Sequence, residues 1–249
     1  MIMETKSGSI WALSDFHLPS SRQKYQNLLG DIWDNHLAKI SENVNRLMKP
    51  DDYLLVSGDI SWAYDTSQME DDFKFMASLP CKLVLSEGNH DSWTNSKGFV
   101  KSLPPNVIWN QCNCFVVGDV AIASVRLWDF DGIFPWPGHF KAKGGSANTE
   151  RREINKLTKT LGMMPKGDGI KRILMTHFPP LSFDAKPGVL TKIINENNVD
   201  ICVYGHVHAQ KKENAPVAVN TQVGNTRFIL TSADWLEMEP IHIADYLQI

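Results

Sequence analysis

"CKLVLSEGNHD", residues 81–91, joins a short apolar run to a group of polar residues. The run has the length and composition of a buried β-strand, although a run this short gives no helical period to compare. Asn89, His90 and Asp91 follow the point where the run ends. The stretch therefore predicts a strand that carries polar side chains just beyond its carboxyl end.

Two earlier stretches have the same plan. "SIWALSDFH", residues 9–17, ends in Asp15 and His17, and "DYLLVSGD", residues 52–59, ends in Asp59. Each begins as an apolar run of strand length and then becomes polar. Three predicted strands thus carry candidate ligands or catalytic groups at the same relative position.

Helical patterns separate these three strands. In residues 22–48 the apolar side chains recur at spacings of three and four, as in an amphipathic helix, and Pro50 would end it. In residues 67–79 a second helix is expected, and Ser67 and Glu70 have the spacing of a capping box. This β-α-β-α-β order predicts an α/β fold with parallel strands and right-handed crossovers.

In the rest of the chain, predicted strands and helices follow each other in a less regular order. Consecutive strands with a turn at Gly118–Asp119 are expected within residues 106–128, and the Gly-, Pro- and aromatic-rich residues 128–147 predict a surface loop. Further strands are predicted within residues 170–178, 199–208, 226–236 and 241–247, and further helices within residues 149–161 and 188–197.

Composition places the chain among ordinary globular proteins. It has 249 residues, of which 43% are hydrophobic and 21% charged, and we expect a single domain over residues 1–249 because no linker is visible. The net charge of −3 gives no general reason to bind nucleic acid or a membrane surface, and no apolar run reaches transmembrane length.

The four cysteines give little evidence of a structural metal or a disulfide framework. None forms a CxxC pair, and Cys112 and Cys114 would make a weak zinc site as an isolated CxC pair. We expect reduced thiols in a cytoplasmic protein.

The polar residues after the predicted strands are expected to meet at one rim, because ligands of open α/β sheets collect beyond the carboxyl ends of the strands. Five of the eight histidines fall at these positions. The seven candidate metal ligands are Asp15, His17, Asp59, Asn89, His177, His206 and His208.

The ligand types indicate the kind of metal. Carboxylate, imidazole and amide oxygen together suit Mn²⁺ or Fe, with Zn²⁺ as an alternative. Seven ligands are too many for one ion and suit two divalent ions held roughly 3.5–4 Å apart by a bridging carboxylate. Such a pair lowers the pKa of a shared water toward about 7 and neutralises phosphate oxygens.

The motifs DFH, GD, GNHD, a single His and GHVH, in this order over residues 15–208, resemble the calcineurin-like metallophosphoesterase superfamily. Within it the chain is most similar to uncharacterised bacterial predicted phosphohydrolases. The resemblance implies two mixed β-sheets packed face to face as a sandwich, flanked by α-helices.

The resemblance also implies two sets of metal ligands that share Asp59. The other ligands of the first ion would be Asp15, His17 and His208, and those of the second ion would be Asn89, His177 and His206. His90 would face the scissile phosphate as a catalytic group, and Asp91 would orient His90. Many relatives have a further acidic residue shortly after GD, whereas this chain reads "GDISWAY".

Simpler interpretations exist for single residues. Asp59 and Asn89 are also typical turn residues, and His177 could be a buried, hydrogen-bonded histidine. Arg126 could form a fork on a substrate phosphate or an ordinary salt bridge. His139, in the predicted loop, could be a surface residue or touch substrate.

Together these patterns predict a hydrolase that cleaves phosphomonoesters or phosphodiesters with hydroxide activated by two metal ions. A non-catalytic interaction scaffold of the same fold is the first alternative, and the complete set of ligands argues against it. A nuclease is the second alternative, and the acidic net charge argues against a nucleic-acid channel. The expected partner is a small phosphate ester, without a membrane or nucleic acid.

Overall fold

The structure is a computed structural model that describes residues 8–19, 31–130, 133, 146–208 and 217–247. Its centre is a pair of mixed β-sheets, with α-helices on their outer faces. The strands within this part of the chain are β1 Ile10–Ala12, β2 Tyr53–Val56, β3 Lys82–Leu85, β4 Val107–Trp109, β5 Asn113–Val117, β6 Val120–Val125, β7 Lys171–Thr176, β8 Ile201–Tyr204, β9 Asn220–Val223, β10 Thr226–Leu230 and β11 Ile241–His242. The α-helices are α1 His36–Leu47, α2 Glu70–Ser78, α3 Ala147–Gly162 and α4 Val189–Glu196.

The first sheet has the strand order β11-β1-β2-β3-β4 among the described residues. Strands β1 to β4 are parallel, and β11 pairs antiparallel with β1 at the edge. The order confirms the prediction of parallel strands in the first part of the chain.

The second sheet has the order β5-β6-β7-β8-β10-β9 in the same part of the chain. Its four central strands are parallel, and an antiparallel strand closes each edge. The hairpin of β5 and β6 turns at residues 118–119, as the sequence predicts.

Alternating side chains divide the core into layers. In β2, Leu55 lies in the cluster between the two sheets, whereas Leu54 and Val56 lie in the cluster beneath α1 and α2. The second sheet contributes Ile122 and Val203 to the inner cluster. Because both faces of the central strands are covered, they appear in the sequence as continuous apolar runs rather than alternating ones. The parallel strands and helices confirm the α/β fold that the sequence pattern predicts, and the sandwich flanked by helices is the arrangement that the resemblance implied.

Two details of the predicted helices are wrong. The first helix was expected over residues 22–48, but α1 begins at His36, after a 3-10 turn at Asp31–Trp33 and Asn35 with φ 56°. Residues 22–30 of the expected helix lie outside the described residues. A left-handed residue interrupts a helix, so apolar spacing alone overestimated its length.

The capping box is the second error. Ser67 lies in a 3-10 turn, Thr66–Gln68, and its hydroxyl donates to Asp65 rather than capping α2, which begins at Glu70. The short segment after β11 also forms a 3-10 helix, Ile243–Tyr246, where a longer strand was expected. Other predicted elements are present with shifts of a few residues at their ends.

Within the described residues, no helix combines the length and apolar character that crossing a bilayer requires.

The layered core predicts where the fold is sensitive to truncation. Leu55→Ala removes a fully buried side chain from between the sheets and should lower the free energy of unfolding by about 2–5 kcal/mol. Urea denaturation followed by circular dichroism measures this change. Val116→Ala, at a strand position that is 47% exposed, is the matched control and should change stability by less than about 0.5 kcal/mol. Equal losses in both variants would contradict this assignment of the core.

Candidate metal centre

The carboxyl ends of five parallel strands from both sheets meet at one rim. The two sheets are joined here by backbone, since Ser14 N–H donates to Thr231 O over 2.7 Å and Ser14 forms a bridge with Ser232. Gly205 N–H also donates to His177 O, and Asp15 N–H donates to Gly58 O. These links hold loops from distant parts of the chain side by side.

The first cluster of side chains lies mainly on the loops after β1 and β2. Asp15, His17, Asp59 and His208 each place a potential ligand atom within 4.8 Å of the others. His17 Nε2 is 3.1 Å from His208 Nε2 and 3.9 Å from Asp59 Oδ2. These are the residues that the resemblance assigned to a first ion, with Asp59 as the shared carboxylate.

The second cluster shares Asp59 with the first. Potential ligand atoms of Asp59, His177 and His206 lie within 4.8 Å of one another. Asn89 Oδ1 is 2.8 Å from His177 Nε2, and Asp59 Oδ1 is 3.3 Å from the same nitrogen. The structure thus brings all seven sequence-predicted ligands together, in two groups with one carboxylate in common.

Four of these residues have left-handed backbone, which side-chain-bearing residues rarely adopt. The φ angles are 59° at Asp15, 45° at His17, 50° at Asp59 and 71° at His206. Each such residue costs on the order of 1–3 kcal/mol and persists only where surrounding structure enforces it. The tight turns direct consecutive side chains from the strand ends into the same space.

Glycines allow these turns to pack against each other. Gly58 has φ 93°, and a Cβ there would be 2.7 Å from the backbone of Gly88. A Cβ at Gly88 would be 2.1 Å from the nitrogen of Asp59. The loops that carry Asp59 and Asn89 therefore approach too closely for any larger residue at these two positions.

The two central carboxylates differ in electrostatic environment. Burial, together with the charge of Asp59, raises the pKa of Asp15 well above its usual value, although His208 opposes this. Burial would also raise the pKa of Asp59, but the surrounding imidazoles, led by His177 and His90, bring it below the usual range. Asp59 is therefore the anionic centre of the site.

The histidines of the site also differ in the direction in which their pKa is shifted. Burial lowers the pKa of His17 and of His177, so both imidazoles favour the neutral form that can bind a cation. Burial would lower the pKa of His208 as well, but Asp234 and Asp15 raise it to about 9. Without a cation, a proton on His208 compensates part of the carboxylate charge.

The hydrogen bonds of His177 test whether a cation fits. Its Nδ1 lies 2.9 Å from Ser57 O, a carbonyl that can only accept, so Nδ1 carries the proton. In the neutral ring, Nε2 then carries no proton, and its lone pair faces two acceptor oxygens, those of Asn89 and Asp59. Three acceptors directed at one another are stable around a positive ion, and the donor set therefore fits a divalent metal.

His90 lies at the edge of both clusters. Its side chain is 39% exposed, and Nε2 is 3.9 Å from Asp59 Oδ2. The backbone N–H of His90 donates to Asp59 Oδ1 over 2.9 Å. The imidazole is thus near the shared carboxylate while remaining open to solvent, as a group that acts on a substrate must be.

The sequence model of the calcineurin-like phosphoesterase family matches residues 8–210, most of the chain and all seven clustered side chains. The chain belongs to this family. Solved structures of similar fold include a protein of unknown function from Aquifex aeolicus, with a TM-score of 0.53, 16% identity and coverage of 95% of this chain and 96% of the other. A phosphopantetheinyl hydrolase from Mycobacterium tuberculosis has a TM-score of 0.51, 17% identity and coverage of 91% and 89%. No curated protein matches the sequence.

Asp91 differs from what the resemblance to this phosphoesterase family implied. It was expected to orient His90, but its carboxylate accepts from the backbone N–H groups of Gly88, Ile60 and Ser61 and from the indole of Trp93, at 2.7–3.0 Å. Burial and the charge of Asp59 raise the pKa of Asp91 to about 7. Asp91 bonds to these groups because the left-handed loops leave several N–H groups that need a buried acceptor, and it thereby joins the two loops that carry Asp59 and His90.

Arg126 forms the salt bridge that was one of its two interpretations. Its Nη1 donates to Glu87 Oε1 over 2.9 Å, and its guanidinium lies 5.0 Å from the ring of Trp128. Both side chains of the ion pair are partly buried, beside the loop that carries Asn89. His139 and most of the 128–147 loop lie outside the described residues.

Three residues at this phosphoesterase site escaped the sequence analysis. Asp234 accepts from His208 Nδ1 at 3.2 Å, and Ser232 Oγ donates to Asp15 Oδ2 over 3.1 Å. Both follow β10, so the rule that polar residues collect after parallel strands would have found them. The third, Trp62, packs on His17 and His90, and an aromatic residue after GD gave no signal of this kind.

The close approach of the two loops predicts the effect of a single methyl group. Gly88→Ala should destabilise the protein by about 1–3 kcal/mol, because the new Cβ overlaps Asp59 and the loops must separate. It should also weaken Mn²⁺ binding, measured by isothermal titration calorimetry. Gly167→Ala, where nothing lies within 4 Å of the new Cβ, is the control. Wild-type stability and Mn²⁺ affinity in Gly88→Ala would refute the packing argument.

Proposed function

We propose that this member of the calcineurin-like phosphoesterase family hydrolyses phosphate esters with two divalent metal ions. One observation carries the proposal: seven metal-capable side chains form two clusters that share the carboxylate of Asp59. A single structural ion would need about four ligands and no shared carboxylate. The same completeness favours an enzyme over an interaction scaffold.

In this proposal each cluster holds one ion. The first ion would be held by Asp15, His17, His208 and the shared Asp59, and the second ion by Asn89, His177, His206 and the shared Asp59. Mn²⁺ and Fe suit this mixture of carboxylate, imidazole and amide best, with Zn²⁺ as the alternative. When bound, the ions would supply an activated water and neutralise charge on the phosphate oxygens.

The protein's own side-chain and backbone groups prepare this site in three ways. Asp234 and Ser57 fix which nitrogen of His208 and His177 faces the site. The rings of Trp33 and Trp62 cover His17 and exclude water from that side. Asp91 holds the loop of Asp59 against the loop of His90. The geometry is therefore established before substrate arrives.

His90 is the proposed catalytic residue. It lies outside both ligand clusters, is partly exposed and approaches Asp59 Oδ2 to 3.9 Å. An imidazole at this position can donate a proton to the departing alcohol oxygen or stabilise negative charge that develops on the phosphate.

The proposal is tested by a substrate screen with the metal-reconstituted protein. p-Nitrophenyl phosphate and bis-p-nitrophenyl phosphate, each with Mn²⁺, Fe²⁺, Zn²⁺ or Mg²⁺, separate monoesterase from diesterase activity. A phosphopantetheinyl ester belongs in the panel because one protein of similar fold is named for that substrate. Single-stranded oligonucleotides test the nuclease alternative. Absence of hydrolysis across the whole panel would favour the scaffold alternative.

The role of His90 predicts a specific pattern. His90→Ala should lower kcat by about 10²–10⁴-fold and leave the metal content unchanged, because His90 belongs to neither cluster. Steady-state kinetics and elemental analysis of the same preparation measure both quantities. Unchanged turnover would remove His90 from the mechanism.

The shared carboxylate predicts a different result for Asp59. Asp59→Asn should reduce the metal content at both positions, because the amide lacks the charge and the second strong ligand atom that bridging requires. Elemental analysis and titration with Mn²⁺ measure the loss. Asp65→Asn, on an exposed turn, is the matched control and should bind metal as the wild type does. Two ions bound to Asp59→Asn with wild-type affinity would show that Asp59 does not bridge.

A further inference from the structure

The stretch "GDISWAY", residues 58–64, places an indole ring between two functional imidazoles. The Trp62 ring centroid lies 4.1 Å from that of His90 and 4.8 Å from that of His17. With His17 the rings are stacked at 23°, and with His90 they are tilted at 51°. Trp62 thus touches both a proposed metal ligand and the proposed catalytic residue.

His90 has few other contacts that could define the position of its ring. Among the described residues its imidazole lies 3.9 Å from Asp59 Oδ2 and 5.7 Å from the ring centroid of His17. Neither distance is that of a hydrogen bond. Asp91, the adjacent carboxylate, bonds to Gly88, Ile60, Ser61 and Trp93 instead. Of the rings that the described residues place beside the imidazole, the indole of Trp62 is the nearer one.

The backbone of Trp62 is itself firmly held. Its N–H donates to Leu18 O over 3.1 Å, and Leu18 N–H donates to Ile60 O over 2.8 Å. Asp91 accepts from Ile60 and Ser61, and the Ser61 hydroxyl donates to the buried carboxylate of Asp72 on α2. Asp91 is therefore connected to His90 indirectly, because it holds the backbone next to Trp62 and the Trp62 ring packs beside His90.

We propose that Trp62 is a positioning residue that holds the imidazole of His90 beside the shared carboxylate, where the leaving oxygen of a phosphate ester would lie. This inference rests on the proposed function of the site. A ring held by packing on an aromatic face keeps its orientation without a hydrogen bond that would occupy one of its nitrogens. Both nitrogens of His90 then stay available for substrate. Misplacement of a catalytic group by about 1 Å can lower the rate by 10²-fold, so the loss of ring packing alone can lower kcat measurably.

A double-mutant cycle with His90 tests the role in catalysis. At saturating Mn²⁺, Trp62→Ala should lower kcat by about 10–10²-fold with little change in KM. In a His90→Ala background the same substitution should change kcat by less than about twofold, because the group that it positions is gone. Trp62→Phe should restore kcat to within about threefold of the wild type, since a flat ring remains.

Trp11→Ala is the matched control, because Trp11 also packs on a histidine, His242, with centroids 4.8 Å apart, at the edge of the first sheet. It should leave kcat within about threefold of the wild type. Equal losses from Trp62→Ala in both backgrounds would overturn the inference and place the effect in the metal ligands or in the fold.

An NMR measurement tests the contact without using activity. In Zn²⁺-loaded or metal-free protein at fixed pH, the ring protons of His90, identified by their loss in His90→Ala, should be shifted upfield by the indole. The shift should disappear in Trp62→Ala and partly remain in Trp62→Phe. Its absence in the wild type would overturn the inference. A wild type without esterase activity would instead overturn the proposed function, and with it the catalytic part of this inference.

Discussion

The buried carboxylate of Asp59 is the constraint on which the site depends. It is 1% exposed, and burial of an unpaired charge costs far more than one hydrogen bond returns. The structure surrounds it with imidazoles, of which His177 lies 3.3 Å away, and with the backbone N–H of His90. Each neighbour comes from a different loop. The surroundings of this one charge therefore form only when loops from both sheets are in place together.

The same arrangement explains why strain concentrates at the rim. Asp15, His17, Asp59 and His206 all have left-handed backbone, while the strands beneath them are regular and buried. Burial of the continuous apolar strands stabilises the fold and offsets the free-energy cost of the strained turns. This division between a stable scaffold and strained loops is common in enzymes, because precise side-chain directions matter more at the site than local backbone energy.

Contacts around the two clusters distinguish binding from catalysis. Asp234, Ser57 and Ser232 hold groups that face the clusters through hydrogen bonds, which select a nitrogen or fix a carboxylate. His90 differs, because within the described residues no hydrogen bond to its ring is present and the ring packs beside that of Trp62. A ligand needs one committed nitrogen, whereas a group that transfers a proton must exchange partners with substrate. The two modes of support match the two tasks that we propose for these residues.

Two expectations, the length of the first helix and the partner of Asp91, failed because neither could be read from neighbouring residues alone. The apolar spacing of residues 22–48 indicated one long helix, yet a left-handed residue at Asn35 precedes α1. The resemblance to the phosphoesterase family implied that Asp91 orients His90, yet the carboxylate of Asp91 accepts from the N–H groups of another loop. At Asp91 the hydrogen-bond requirement of buried backbone N–H groups overrode the expected role, and at Asn35 a left-handed backbone angle precedes the helix despite the regular apolar spacing.

By itself, the sequence determined the order of the main strands and helices, their apolar runs and seven of the polar residues at the strand ends. These are properties of short stretches, because burial on two faces and the end of a strand leave a direct record in residue type. Only the tertiary structure decided which imidazole nitrogen faces Asp59, that Asp234 supports His208, and that Trp62 packs on His90. Those contacts join residues from different loops, and their distances depend on how the two sheets pack, which no single stretch of sequence contains.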